Sequence, residues 1–270
     1  MTPTSPGADA VERAAARLTA ALDEGRPVAP VRELIGEHDL AAAYAVQREL
    51  TRRRLAGGAV VTGRKIGLTS PAVQRQLGVD QPDFGVLFAD MDVSAEAEVP
   101  SWRLLQPKAE AEIAFVLKED LADGELHTAR VRSAVDYAVA ALEIVDSRIA
   151  DWDIRLTDTV ADNASSGLFV LAGRRLGLDE FEPRETTMRL YADDVLVSEG
   201  TGAACLGDPL AALAWLARTA REFGDPLLAG QVVLSGALGP MVPAPPGTRI
   251  RAEISSLGEV TATFSEKRDA

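Results

Sequence analysis

One cysteine, Cys205, and two histidines, His38 and His127, are the only thiol and imidazole groups in 270 residues. A single cysteine excludes an internal disulfide, and the three residues together are too few for the usual zinc, copper or haem sites. Any metal held by this chain must be held by oxygen. Positive charge is also scarce: 41 acidic residues face 28 basic ones, for a net charge of −13, and no basic patch stands out. Nucleic acid and anionic membrane surfaces, which reward clustered Lys and Arg, are therefore excluded as partners. No apolar run approaches the roughly 18 residues of a membrane span, and Glu12, Asp23 and Glu24 stand where a signal peptide would be apolar. The reading is a soluble, cytoplasmic chain. G-x-G-x-x-G, the P-loop pattern and G-x-S-x-G are all missing, which removes support for dinucleotide, P-loop and nucleophile-elbow chemistry. Lysine is reduced to Lys65, Lys108, Lys118 and Lys267. Each becomes informative where an ammonium differs from a guanidinium.

What is present centres on Gln106–Leu117, QPKAEAEIAFVL. Its alternation predicts a strand in which residues two apart share a face. Glu110 and Glu112 then point the same way, roughly 6 to 7 Å apart, with Lys108, Ala114 and Val116 on their side and Ala111, Ile113, Phe115 and Leu117 on the other. Two like charges so placed need a shared cation or open water. Glu143 is the lone charge in the apolar run Ala138–Val145. An unpaired carboxylate in a core strand costs several kcal/mol, so Glu143 must be neutralised, either by a hard metal shared with the other two or by a salt bridge to Arg148 or another core arginine.

Along the chain, residues 1–8 read as disordered, and helices over Ala10–Leu22 and from an Asp39 cap to Leu55 make residues 1–58 a helical N-terminal arm. From Ala59 the pattern turns to strand, and residues 59–270 form the remaining domain. A short helix is predicted from Pro71 to Leu77, a turn-rich loop at Asp80–Gly85, a strand at Met91–Val99 and a helix from His127 to Ala141. Asp146–Gly167, crowded with Asp, Ser and Asn, reads as a long functional loop. A helix follows Gly207-Asp208-Pro209, and short strands close the chain. Many short strands without regular βαβ alternation predict an α+β fold with a rolled or barrel-like sheet.

Three stretches carry a resemblance: GRKIGLTSPAVQRQLGVDQPDFGVLFADM, PKAEAEIAFVLKEDL and ALEIVDSRIADWDIRLTDTVADNASSG. In that order they resemble the 2-keto-4-pentenoate hydratases, grouped with the 4-oxalocrotonate decarboxylases in the fumarylacetoacetate hydrolase superfamily. The resemblance implies a mixed β-roll core of the C-terminal type, Mg²⁺ or Mn²⁺ on Glu110, Glu112 and Glu143, and a homo-oligomer, with pairing to a neighbouring pathway enzyme. It places Lys65 as the active-site lysine, with Asp83 beside the substrate as base or water-positioning group. Ser165 and Ser166 would offer donors to the substrate carboxylate, Ser166 foremost, with Gln106 as a further substrate contact. The activity implied is hydration of 2-hydroxypenta-2,4-dienoate, or of longer dienoates, in catabolism of aromatic compounds. The alternatives are decarboxylation of 2-oxohex-3-enedioate at the same site, with Arg64, Arg75, Arg148 and Arg155 as candidate partners for a second carboxylate, acylpyruvate hydrolysis, and a non-catalytic scaffold.

Overall fold

The computed structural model describes residues 7–70, 74 and 81–266. The chain opens with α1 (Ala8–Asp23), which buries Ala14, Ala15, Leu18 and Ala21 along one stripe. A single helical turn, α2 (Arg32–Ile35), leads into α3 (Leu40–Ala56). The Asp39 carboxylate accepts from the Ala42 N–H at 2.9 Å and so starts α3 as the capping pattern predicts. Residues 1–6 and the helix predicted over Pro71–Leu77, apart from Gln74, lie outside the described residues.

The body consists of β1 (Val61–Gly67), β2 (Asp83–Phe88), β3 (Lys108–Leu117), α4 (Thr128–Ala134), β4 (Val135–Val145), α5 (Leu156–Ala161), β5 (Ser166–Leu171), β6 (Thr187–Ala192), β7 (Val195–Thr201), α6 (Pro209–Glu222), β8 (Val232–Leu234), β9 (Val242–Pro243), β10 (Arg249–Ile254) and β11 (Gly258–Thr263). The large sheet runs β2-β1-β8-β3-β4-β5, with β9 also paired to β3; the smaller one runs β11-β10-β6-β7. Among the described strands only β1 and β8 pair in parallel. β10 and β11 pack against β4, and β11 also against β5, so the two sheets close around a common core containing Phe88, Phe115, Phe169 and Phe264. This is the α+β arrangement the strand pattern predicts.

Three local readings are corrected. The helix expected over His127–Ala141 stops at Ala134, because Val135 begins a strand that pairs along the whole of β3, from Leu117↔Val135 to Lys108↔Val145. Val131, Val135 and Val139 satisfy a helical period, but only Val131 is helical, and the β-branched Val135 and Val139 suit the long ladder better. The expected strand at Met91–Val99 is instead a 3-10 turn at Ala89–Met91 followed by isolated bridges, Asp92 to Phe169 and Val99 to Phe264. In DQPDFG, the Asp83-Phe84-Gly85 half is not a turn: it begins β2, buried throughout.

The helical arm is not a free appendage. Ala14, Leu18, Val31, Ala42 and Val46 share a second core with Ile149, Val160 and Ala161 from the segment after β4. Gln47 of α3 reaches further, its Nε2 donating to Phe84 O at 2.8 Å and Val160 O at 3.0 Å, which ties β2 to α5.

Candidate metal centre and active site

The strand register brings the acidic groups together. Glu110 stands directly opposite Glu143 in the β3–β4 ladder, and Glu112 follows two residues along the same face. One ligand oxygen from each of the three lies within 4.8 Å of the others. Like charges facing one another across a ladder are destabilising unless something compensates. Glu112 and Glu143 are buried, at 0% and 1% exposure, and Glu110 is half-buried at the cavity rim. Glu112 Oε2 accepts from Gly236 N at 2.8 Å, Glu112 Oε1 and Glu143 Oε2 have no partner, and Glu143 Oε1 has only a lysine ammonium beside it. Burial, then the charge of Glu143, pushes the Glu110 carboxyl up to about 7; the same two causes raise Glu112 well above the carboxylate range. Buried acceptors left unpaired, converging, and all of hard oxygen are what a divalent cation of the Mg²⁺ or Mn²⁺ kind requires, so this donor set fits such an ion.

Lys65 supplies the neighbouring positive charge. The order of strands places β8 and β3 between β1 and β4, yet the sheet curls enough for Lys65 Nζ to lie 2.9 Å from Glu143 Oε1. Nζ also donates to Ala164 O at 2.8 Å. Burial opposes the charge on Lys65, but Glu143, Asp83 and Glu110 outweigh it and raise the pKa, so the ammonium form persists across the neutral range. Glu143 therefore pairs with a lysine on β1. Arg148 is committed to Asp162, with its Nε 2.5 Å from Oδ1 and its main-chain N–H donating to Oδ2 at 2.9 Å.

Asp83 sits opposite Gly67 in the β1–β2 ladder, almost wholly buried. A Cβ on Gly67 would fall 2.2 Å from Asp83 Oδ1, so glycine is needed there for the carboxylate to enter the site. Burial raises the Asp83 pKa, partly offset by Lys65 and by the Thr159 hydroxyl, which donates to Oδ2 at 3.3 Å. Oδ1 is left without a hydrogen bond.

Lys65, Asp83, Lys108, Glu110, Thr159 and Ser165 form the polar side of a cavity of about 640 Å³, and Leu68, Ile154, Leu238, Pro240 and Met241 form its apolar side. Ser165 belongs to an unusual turn: Asn163, Ala164 and Ser165 all have positive φ, from 52° to 54°. Non-glycine residues there cost about 1–3 kcal/mol each unless the surroundings fix them. Asn163 does the fixing, since its Oδ1 accepts from Val86 N at 2.7 Å and its Nδ2 donates to Val86 O at 2.9 Å, in the manner of an extra rung on β2. Replacing Asn163 with alanine is expected to destabilise the protein by about 2–4 kcal/mol in urea titration, because two main-chain groups lose partners and alanine resists positive φ. Turnover should fall with it, since Ala164 O and Ser165 are carried by the same turn; unchanged stability would refute the clamp.

Ser166 and Gln106 lie elsewhere. The Ser166 hydroxyl donates to Asn163 O at 2.7 Å, and the residue borders a separate cleft of about 770 Å³ beneath α1 and α3. Gln106 Nε2 donates to Ser147 O and Ile149 O, its Oε1 accepts from Asp151 N, and its main-chain carbonyl accepts from Trp152 Nε1 at 3.1 Å. It holds the segment that carries Trp152 rather than lining the cavity. Thr159 and Asn163 escaped the sequence reading; the dense polar run around them was the only signal. Cys205 is fully buried, its thiol donating to Ser235 O, in keeping with a packing role.

Residues 70–265 match the family model for the fumarylacetoacetate hydrolase C-terminal domain. The chain belongs to the fumarylacetoacetate hydrolase family. Within it, the chain is 54% identical over 253 residues to the 2-keto-4-pentenoate hydratase of Burkholderia vietnamiensis, covering 93% of this chain and 96% of that one. It is 40% identical to the 2-hydroxyhexa-2,4-dienoate hydratase of Comamonas testosteroni over 95% and 98% of the two chains. Among solved structures, 4-oxalocrotonate decarboxylase from Pseudomonas putida G7, complexed with magnesium and adipate, superimposes with a TM-score of 0.89 at 35% identity, covering 95% and 97%. The mixed roll with its helical arm is thus the fold of this family, and among the described residues no helix is long and apolar enough to cross a membrane.

Proposed function

We propose that the protein is a divalent-metal-dependent hydratase that converts 2-hydroxypenta-2,4-dienoate and water to 4-hydroxy-2-oxopentanoate. The observation that carries the reading is the convergence of Glu110, Glu112 and Glu143, with Glu112 Oε1 and Glu143 Oε2 buried and without a partner, beside a cavity lined by Glu110, Lys65 and Asp83. The names of relatives about 50% identical over nearly the full chain point the same way. Mg²⁺ or Mn²⁺ held by the three glutamates would act as a Lewis acid toward charge developing on the substrate's C2 oxygen.

The residues divide the remaining work according to their protonation. Lys65 stays an ammonium, so it serves as a fixed donor and positive charge for the substrate oxygens, and proton abstraction falls to another group. Asp83, with one oxygen free and a raised pKa, is placed to take the proton from the C2 hydroxyl and return it at C5. Ketonisation makes C4 electrophilic; Asp83 can then take a proton from the water that adds at C4 and deliver it to C3, which restores the carboxylate. Ser165 offers a hydroxyl on the same wall, linked to Asp83 through Thr159.

Decarboxylation of a diacid would call for a further cation at the distal carboxylate. Of the candidate arginines, Arg64 pairs with Asp225, Arg148 with Asp162 and Arg155 with Glu37, and none borders the cavity; Arg75 lies outside the described residues. This favours the hydratase. Two ultraviolet assays on metal-stripped protein with Mg²⁺ restored, one with 2-hydroxypenta-2,4-dienoate and one with 2-oxohex-3-enedioate, decide it. Metal-dependent 4-hydroxy-2-oxopentanoate without CO₂ is the expected result, and CO₂ from the diacid alone would overturn it.

A further inference from the structure

The cavity holds two lysines in different states. Lys65 is already engaged by Glu143 and Ala164 O. Lys108 lies on the Glu110 face of β3, half-buried, with its Nζ 4.0 Å from the centre of the Trp152 ring. Among the described residues it has no carboxylate within ion-pair distance. The indole it rests on is fixed, because Trp152 Nε1 donates to Gln106 O and the Gln106 amide is bonded on both sides to the segment from Ser147 to Asp151. A cation parked on an aromatic face, on a flexible four-carbon stem, is poised to be taken up by an anion entering the cavity.

We infer that Lys108 is the group that binds the carboxylate of the incoming 2-oxo or 2-hydroxy acid, with Trp152 holding its ammonium in the empty cavity and Gln106 holding Trp152. This rests on the functional reading above and assigns within it the residue that selects for an acid. A metal ion at Glu110, Glu112 and Glu143 would repel the Lys108 ammonium, whereas a carboxylate arriving between them is attracted by both, so ion and lysine reinforce each other only when the anion is present. With one such ammonium not already paired, the site selects monocarboxylates whose far end meets the apolar wall of Leu68, Ile154 and Met241.

The test uses 2-oxopentanoate, which lacks the alkene and cannot be hydrated. Mg²⁺-loaded wild-type protein, Lys108→Met and Lys108→Arg are titrated with it by calorimetry, Mg²⁺ affinity is measured on each stripped protein, and kcat and KM are taken with 2-hydroxypenta-2,4-dienoate. Methionine keeps the stem on Trp152 and deletes only the charge. Lys108→Met should bind 2-oxopentanoate about 10- to 100-fold more weakly, the scale of one charge-assisted bond. KM should rise by a similar factor with kcat within a few-fold, as for binding shared by ground and transition states. Mg²⁺ should bind as tightly as before or more tightly, because a repelling neighbour has gone, and Lys108→Arg should recover part of the loss. Unchanged 2-oxopentanoate binding would overturn the assignment. So would a loss of Mg²⁺ affinity in step with a loss of 2-oxopentanoate binding, which would make Lys108 a support of the metal site. Wild-type protein that neither binds 2-oxopentanoate nor hydrates the dienoate would instead overturn the functional reading, and the role of Lys108 with it.

Discussion

Lys65→Met is expected to yield folded protein that binds Mg²⁺ and turns over 2-hydroxypenta-2,4-dienoate at least ~100-fold more slowly, the scale for losing one preorganised donor to developing charge. The loss should appear chiefly in kcat. In the present arrangement the ammonium is held by Glu143 Oε1 at 2.9 Å and Ala164 O at 2.8 Å, and it is almost wholly buried. Two fixed acceptors leave the remaining N–H to point elsewhere, and desolvation makes the charge more effective than it would be in water. Deleting it also removes a repelling charge beside the glutamates, so Mg²⁺ affinity measured by calorimetry should hold or rise. Lys65→Arg should not rescue turnover, because the larger planar guanidinium cannot occupy a buried site shaped by two acceptors for a single ammonium nitrogen. Near-normal turnover in Lys65→Met would remove the lysine from the mechanism, and a parallel loss of Mg²⁺ binding would reduce it to a support for Glu143.

Lys65 also shows where sequence reading reaches its limit. The E-x-E pair was legible because a strand has a period of two, and Glu143 because a lone charge in an apolar run must be compensated. Spacing alone did not say by what. Arg148 is five residues away in the chain and was the natural suspect, yet its guanidinium serves Asp162, and the partner comes from β1, nearly eighty residues earlier, brought round by the curl of the sheet. Curl is a property of the whole sheet and leaves little trace in any one strand.

The Asp146–Gly167 segment stood out by its polar density and length, but the long loop expected there is not what forms. It contains α5, the Arg148–Asp162 lock and the left-handed turn of Asn163, Ala164 and Ser165. Asn tolerates positive φ and is an ordinary turn residue, whereas alanine and serine give no such signal, so only the clamp onto Val86 explains why all three adopt it. Asp83 was not legible as a strand residue for a related reason: D-Q-P-D-F-G carries every mark of a turn, and what overrides those marks is its pairing with Gly67 on the neighbouring strand, which leaves room for the carboxylate. The resemblance located the acid, and the packing shows what surrounds it.

Glu112→Gln should separate the electrostatics of the metal centre from its chemistry. In metal-free protein Glu112 is buried, accepts one hydrogen bond from Gly236, and has a pKa pushed up first by burial and then by Glu143 and Glu110. An acid whose folded-state pKa lies above its unfolded value near 4.3 keeps its proton in the folded state while the unfolded chain has released it, so raising the pH favours unfolding. For metal-stripped wild type, Tm should therefore be highest near pH 5 and fall through pH 7, where Glu110 titrates, with Glu112 extending the fall to higher pH. Mg²⁺ reverses the trend, because it binds the ionised folded form: at a hundred times Kd it adds about 2.7 kcal/mol, or roughly 5–10 °C in a chain of this size. The glutamine variant removes one buried charge while keeping the shape and the oxygen facing Gly236, so at pH 8 and without metal its Tm should exceed that of wild type. With Mg²⁺ the order should invert, and turnover should drop by more than ~100-fold, since losing a ligand outweighs the 10- to 100-fold cost of losing its outer support. If Mg²⁺ raised the Tm of Glu112→Gln as far as that of wild type, Glu112 would not be a ligand. If metal-stripped wild type were indifferent to pH between 5 and 8, the three carboxylates would not be held in the strained proximity from which the metal site is argued.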